Sequence, residues 1–176
     1  MTRTVTGRLA GTAAALVLAA GTALVAAVPA SAAPIISIGY DVQVRAVHSG
    51  KCLEVADWRT DNGAPVRQWT CTGGANQKWH FNPDGTVLNA HSGKCLEVPG
   101  WNRERGVQVG QWDCHGGYNQ KWEGMNAMPD LGSMSVWSSY AALPIDIRSA
   151  STADGAPAVL WPAGGPGYNQ QFSFEG

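Results

Sequence analysis

The pattern of apolar and polar positions changes character once along this chain. From Leu9 to Val28 nearly every residue is apolar and small. Further on the apolar runs shorten and alternate with polar residues, as half-buried strands do. Cys52-Leu53-Glu54-Val55 shows this alternation and predicts a strand. Asp61-Asn62-Gly63 is turn chemistry, and Pro65 to Cys71 predicts a second strand. A period of two places Val66 and Gln68 on one face of it, with Arg67 and Trp69 on the other. Gly73-Gly74 predicts another turn, and a last strand begins at Asn76-Gln77-Lys78-Trp79. No segment has helical periodicity long enough to count.

The same elements then recur. Ser49 to Val55 reappears letter for letter as Ser92 to Val98, an offset of 43 residues. That offset also carries Trp69 onto Trp112, Cys71 onto Cys114 and Trp79 onto Trp122. A register held across so many landmarks means that one supersecondary unit has been duplicated. Trp161, Asn169-Gln170 and Phe172 form a looser third copy. The units run over about 40–80, 81–123 and 124–176, within a domain of 38–176. Met125 to Tyr140 carries extra residues and predicts an insertion or a looser loop in the third unit.

The apolar N-terminal stretch follows Arg3 and Arg8 and leads to Ala30-Ser31-Ala32. A positive start, an apolar middle and a small-residue site predict a secretory signal peptide over 1–32. No second apolar run follows, so the mature protein is expected outside the cell, without membrane insertion. The formal net charge of the whole chain is −1, and no basic block is present, which argues against a nucleic-acid partner. A charged fraction of 14% with 8 tryptophans and 22 glycines suits an extracellular all-β protein with short turns.

The four cysteines fall as two equally spaced pairs. In a secreted chain two disulfides are expected, and the repeat selects Cys52–Cys71 and Cys95–Cys114, one bridge per unit. The third unit has Pro144 and Ala163 at the matching places. The spacing is wrong for zinc, and no histidine sits at ligand spacing. Neither metal nor cofactor is expected. His48 and His91 map onto each other in different units and read as structural.

Gln77-Lys78-Trp79 and Gln120-Lys121-Trp122 are Gln-x-Trp motifs, with Gln170-Gln171-Phe172 as a degraded third. Together with the Cys-Leu-Glu-Val strand, the Trp two residues before the second Cys and the Gly-Gly turn, they closely resemble the ricin B-type lectin family. The resemblance covers residues 40–176. It implies a β-trefoil of about twelve strands in three pseudo-equivalent subdomains. Trp79, Trp122 and Phe172 would pack near the pseudo-threefold axis, and their glutamines would satisfy backbone groups.

The resemblance also implies where sugar is held. Sugars lay an apolar face on an aromatic ring and offer hydroxyls to fixed polar groups at the rim. A carboxylate accepts from two hydroxyls at once. The matching sets are Glu54, Arg67, Trp69 and Asn76; then Glu97, Trp112 and Asn119, where Gly110 offers no side chain; then Asp146, Trp161 and Asn169, where Val159 removes the polar arm. Arg67 stands where the family usually has Gln, and pairing with Glu54 is open to it. The first and third sets rank above the second, and the first alone has all four positions filled. Trp58 and Trp101 begin equivalent loops and either stack on a ligand or cap the core; the third unit has Ala150 there.

A secreted monomeric lectin, binding glycans or polysaccharide without catalysis, is therefore the expected function. One rival is a degenerate trefoil with a protein partner, suggested by Arg67, Gly110 and Val159. The other is a glycosidase, which needs two carboxylates facing one bond. Glu54, Glu97 and Asp146 fall in separate subdomains.

Overall fold

The computed structural model describes residues 38–128, 132–164 and 168–176. The expected leader, 1–32, lies outside the described residues. Twelve strands form among the described residues: β1 (Ile38–Ala46), β2 (Cys52–Val55), β3 (Val66–Trp69), β4 (Lys78–Phe81), β5 (Val87–Asn89), β6 (Cys95–Glu97), β7 (Gly110–Trp112), β8 (Trp122–Met128), β9 (Ser133–Ser138), β10 (Leu143–Ile147), β11 (Ala158–Leu160) and β12 (Phe172–Glu175). The only helical pieces among the described residues are three-residue 3-10 turns. None is long and apolar enough to cross a membrane. The all-β trefoil read from the motifs is the fold observed.

Two layers of pairing build it. Antiparallel ladders run β8–β9–β12–β1–β4–β5. The Trp122 N–H donates to the Gly85 carbonyl at 2.8 Å and closes this ring. The hairpins β2–β3, β6–β7 and β10–β11 form the second layer. They meet cyclically through the bridges Pro65–Gly110, Gln108–Val159 and Arg67–Pro157. Closing both layers on themselves leaves few unpaired edges.

The core gathers one large ring from each unit. Trp79, Trp122 and Phe172 are all buried within a single cluster that also holds Leu53, Leu96 and Ile145. Trp79 Nε1 donates to the Leu53 carbonyl at 3.0 Å, and Trp122 Nε1 to the Leu96 carbonyl at 2.9 Å. Each indole therefore fixes the strand that carries its unit's carboxylate. Phe172 has no such donor, which makes the third unit the looser copy chemically as well as in sequence. The disulfides are Cys52–Cys71 and Cys95–Cys114.

Three details differ from the sequence reading. The second strand is shorter than Pro65 to Cys71 and runs Val66–Trp69. The last strand of the first unit begins at Lys78, because Ala75–Gln77 forms a 3-10 turn. The Met125 to Tyr140 stretch is largely paired: Glu123 faces Trp137, Gly124 faces Val136 and Met125 faces Ser135 in the β8–β9 hairpin. Serines alternating through Ser133-Met134-Ser135 supply the period of two that the three methionines obscured. Residues 129–131, in the same stretch, lie outside the described residues.

Candidate functional site

Each four-strand unit brings its carboxylate, its aromatic and its asparagine together. In the first unit β2 and β3 pair so that Glu54 lies opposite Arg67. In the others Glu97 lies opposite Gly110, and Asp146 opposite Val159. The asparagine arrives on a 3-10 turn in the first two units and on a turn at Asn169-Gln170 in the third. Glu54, Glu97 and Asp146 are 4%, 5% and 5% exposed, so each carboxylate is set into the floor of its cleft.

Buried carboxylates require donors. The glutamine of the Gln-x-Trp motif is one. Gln77 Nε2 donates to Glu54 Oε2 at 3.1 Å and to the Thr70 carbonyl at 3.0 Å. Gln120 Nε2 donates to Glu97 Oε2 at 2.8 Å and to the Asp113 carbonyl at 2.9 Å. Gln170 Nε2 donates to Asp146 Oδ2 at 2.9 Å and to the Pro162 carbonyl at 3.0 Å. The glutamines satisfy backbone groups, as the resemblance implied, and they also hold the candidate site. Asn76 Nδ2 reaches Glu54 Oε2 at 3.3 Å and the Val55 carbonyl at 3.2 Å. Asn169 Nδ2 reaches Asp146 Oδ2 at 2.8 Å and the Ile147 carbonyl at 3.1 Å. Asn119 Nδ2 donates to the Val98 carbonyl at 3.2 Å.

The indoles are supported from the neighbouring unit. Gly63, Gly106 and Gly155 have φ of +82°, +88° and +84°. Side chains other than glycine adopt that backbone rarely. A Cβ at these glycines would lie 3.8, 3.7 and 3.7 Å from Cζ3 of Trp112, Trp161 and Trp69 respectively. The turn of one unit therefore lies beside the aromatic of the next.

The rims differ. In the first cleft Arg67 Nε donates to Glu54 Oε1 at 3.0 Å and its Nη2 to Asp57 Oδ1 at 2.9 Å. Its Cζ lies 4.4 Å from the Trp69 ring centroid, within cation–π range. Trp58 and Thr72 complete a cleft of about 230 Å3. Trp58 is exposed, with its ring edge-on to His91 at 5.0 Å.

In the second cleft His115 Nδ1 accepts from the Gly117 N–H at 3.2 Å. Its Nε2 is then the protonated nitrogen and donates to Glu97 Oε2 at 3.0 Å. Trp112 is exposed. Trp101, also exposed, lies edge-on to Tyr140 at 5.1 Å, and the Tyr140 hydroxyl donates to the Trp101 carbonyl at 2.8 Å.

In the third cleft both amides meet one oxygen, Asp146 Oδ2. Burial pushes the Asp146 carboxyl above the ordinary carboxylate range, against the pull of Gln170, Asn169 and the more distant His48. Trp161 is 46% exposed. With Ala150 in place of a loop tryptophan, the cleft opens to about 660 Å3 along Asp146, Arg148, Val159, Trp161 and Asn169.

His115 was not anticipated from the sequence. It occupies the position of Thr72 in the first unit, and the repeat offset could have placed it beside Glu97. Among the described residues no cluster of His, Cys, Asp and Glu could hold a metal.

A closed ring of strands with three carboxylate–indole–asparagine clefts defines a β-trefoil of lectin type. The model of the ricin-type beta-trefoil lectin domain matches residues 34–128, and the chain belongs to that family. The designed threefold-symmetric protein ThreeFoil is similar at 32% identity, with 77% of this chain and 98% of that one covered and a TM-score of 0.72. The exo-beta-1,3-galactanase 1,3Gal43A from Clostridium thermocellum is similar at 30% identity over 80% of this chain, with a TM-score of 0.71, but over only 31% of its own length. Serine protease 1 of Rarobacter faecitabidus shares 52% identity over 33 residues, which is 19% of this chain and 6% of that protein.

Proposed function

We propose that this chain is a secreted, monomeric, non-catalytic glycan-binding module whose principal site is the third cleft. One observation carries this reading. The third cleft combines an open indole, Trp161, and a buried carboxylate with one oxygen free of protein donors among the described residues with about 660 Å3 of open space above them. A pyranose can lay its apolar face on that indole and donate hydroxyls to Asp146. Asn169 and Gln170 hold the carboxylate in place, so little ordering is required on binding. The disulfides fit an oxidising compartment and a leader removed near residue 32. The likeness to a part of a galactanase and a part of a protease supports a role as a binding module beside catalytic activity.

Titration calorimetry with lactose, β-1,3-galacto-oligosaccharides and an insoluble polysaccharide panel tests this. Binding that is lost in Trp161→Ala and kept in Trp112→Ala supports the third cleft. Release of reducing sugar would overturn the non-catalytic reading. Silence across the whole panel would favour a protein partner.

A further inference from the structure

We infer that Arg67 is an internal occupant of the first cleft, and that this one side chain keeps a complete glycan site shut. The inference rests on the proposed glycan-binding reading and says which of the three clefts that reading must exclude.

The carboxylate and one face of the indole that a sugar would use in the first cleft already have partners from the chain, although Asn76 Oδ1 has none among the described residues. Glu54 Oε2 receives Asn76 and Gln77 at 3.3 and 3.1 Å, and Glu54 Oε1 receives Arg67 Nε at 3.0 Å. One face of Trp69 is covered by the guanidinium, whose Cζ is 4.4 Å from the ring centroid. The planar guanidinium does what a pyranose would do: it lies on the indole and donates to the carboxylate at its edge. A second anchor, Arg67 Nη2 to Asp57 Oδ1 at 2.9 Å, holds it there. The Arg67 and Glu54 side chains are 20% and 6% exposed, so that pairing is shielded from solvent, whereas Asp57 is exposed.

The other clefts serve as internal controls. Where Arg67 stands, the second unit has Gly110 and the third Val159. Trp112 and Trp161 are 42% and 46% exposed, whereas Trp69 is half-buried in the same frame. Displacing Arg67 requires breaking two charge-assisted hydrogen bonds and leaving Glu54 without its cation. A neutral sugar hydroxyl supplies no charge in return, so a neutral glycan does not displace it. Arg67 thus decides whether this protein presents one more site or one fewer.

The test reads each cleft separately through its tryptophan indole N–H signal in two-dimensional NMR, assigned with Trp69→Phe and Trp161→Phe. The probes are lactose, β-1,3-galactobiose, cellobiose and mannobiose. In the unaltered protein the Trp69 signal is expected to stay fixed with all four. In Arg67→Gln, which keeps a hydrogen-bonding arm and removes the charged plane, at least one probe is expected to shift it, raising the number of responding clefts by one. A Trp69 signal that moves in the unaltered protein, or stays fixed in the folded variant, overturns the inference. The Trp161 signal separates the two ideas: if it moves while Trp69 stays fixed in Arg67→Gln, the glycan-binding reading stands and this inference falls. If Arg67→Gln does not fold, Arg67→Lys keeps the charge but not the planar cover. Some shift of Trp69 is then expected at higher probe concentration, and its absence overturns the inference equally.

Discussion

The first and third clefts share a floor and differ at the rim. Glu54 and Asp146 are buried to the same degree, and each accepts from the asparagine and the glutamine of its own unit. Above that floor, Arg67 and Trp58 crowd a space of about 230 Å3, while Val159 and Ala150 leave about 660 Å3. Duplication preserved what the fold needs, because a buried carboxylate without donors would destabilise its unit. The rim carries no such penalty and has drifted. The clefts therefore differ at strand positions 67, 110 and 159 and at loop positions 58, 101 and 150.

The largest expected effect separates floor from rim. Trp79→Ala removes a fully buried ring and the donor to the Leu53 carbonyl, at a cost of about 3–5 kcal/mol of stability. Trp161→Ala removes an exposed ring and should change stability by no more than about 0.5 kcal/mol while removing binding at the third cleft. Denaturant midpoints for the two variants check this. Equal destabilisation would show that floor and rim are not separate.

A smaller effect tests whether the two carboxylates now do different work. Asp146→Asn keeps the shape of the floor and removes the charge that would accept from sugar hydroxyls. Glycan affinity should fall by about 1–3 kcal/mol. Glu54→Gln should leave affinity unchanged, because Arg67 already covers that group. Acidity adds a signed check. The Asp146 carboxyl is raised mainly by burial, so glycan affinity should fall as pH drops through its raised value. Stability should run the other way. The folded state holds this proton more tightly than the unfolded chain, so the contribution is full below the ordinary carboxylate range and is lost as pH rises through the raised value. Affinity and unfolding measured against pH, with Asp146→Asn as the control, should show both trends vanish together.

Much of the floor was legible in the sequence, and the rim was less so. Repeat offsets found the two bridges and the three core rings, because burial and pairing constrain those positions in the copies that carry them. A period of two put Val66 and Gln68 on one face and Arg67 and Trp69 on the other, and β3 buries the first pair. Gln68 lies buried, its Nε2 donating to the Ser151 and Ala153 carbonyls of the third unit. That partnership joins units far apart in the chain, so no local pattern announces it. The pairing of Arg67 with Glu54 was foreseeable from charge. Its cover over Trp69 was not, since a guanidinium can lie on a ring or swing to water with the same sequence. Counting filled positions favoured the first cleft, and a count carries no information on how a filled position is oriented: Arg67 pairs with Glu54 and lies over Trp69.

The smallest expected effect comes from altering the rim of the open cleft. Val159 lies opposite Asp146 and lines the third cleft. Gln in its place sets a neutral polar arm where Arg67 stands in the first unit, without a charge to capture Asp146. If rim chemistry tunes a site whose floor is already complete, Val159→Gln should strengthen glycan binding by about 0.5–1.5 kcal/mol, the net worth of one added hydrogen bond. Thermal unfolding run alongside should show at most a modest loss, because a buried apolar residue is exchanged for one whose head reaches the cleft. Calorimetry with the probe that binds the unaltered protein decides. Weaker binding would mean that the apolar wall at Val159 is itself the contact surface. Unchanged binding would mean that position 159 does not govern the cleft. The contrast between the two clefts would then rest on the loop tryptophan alone.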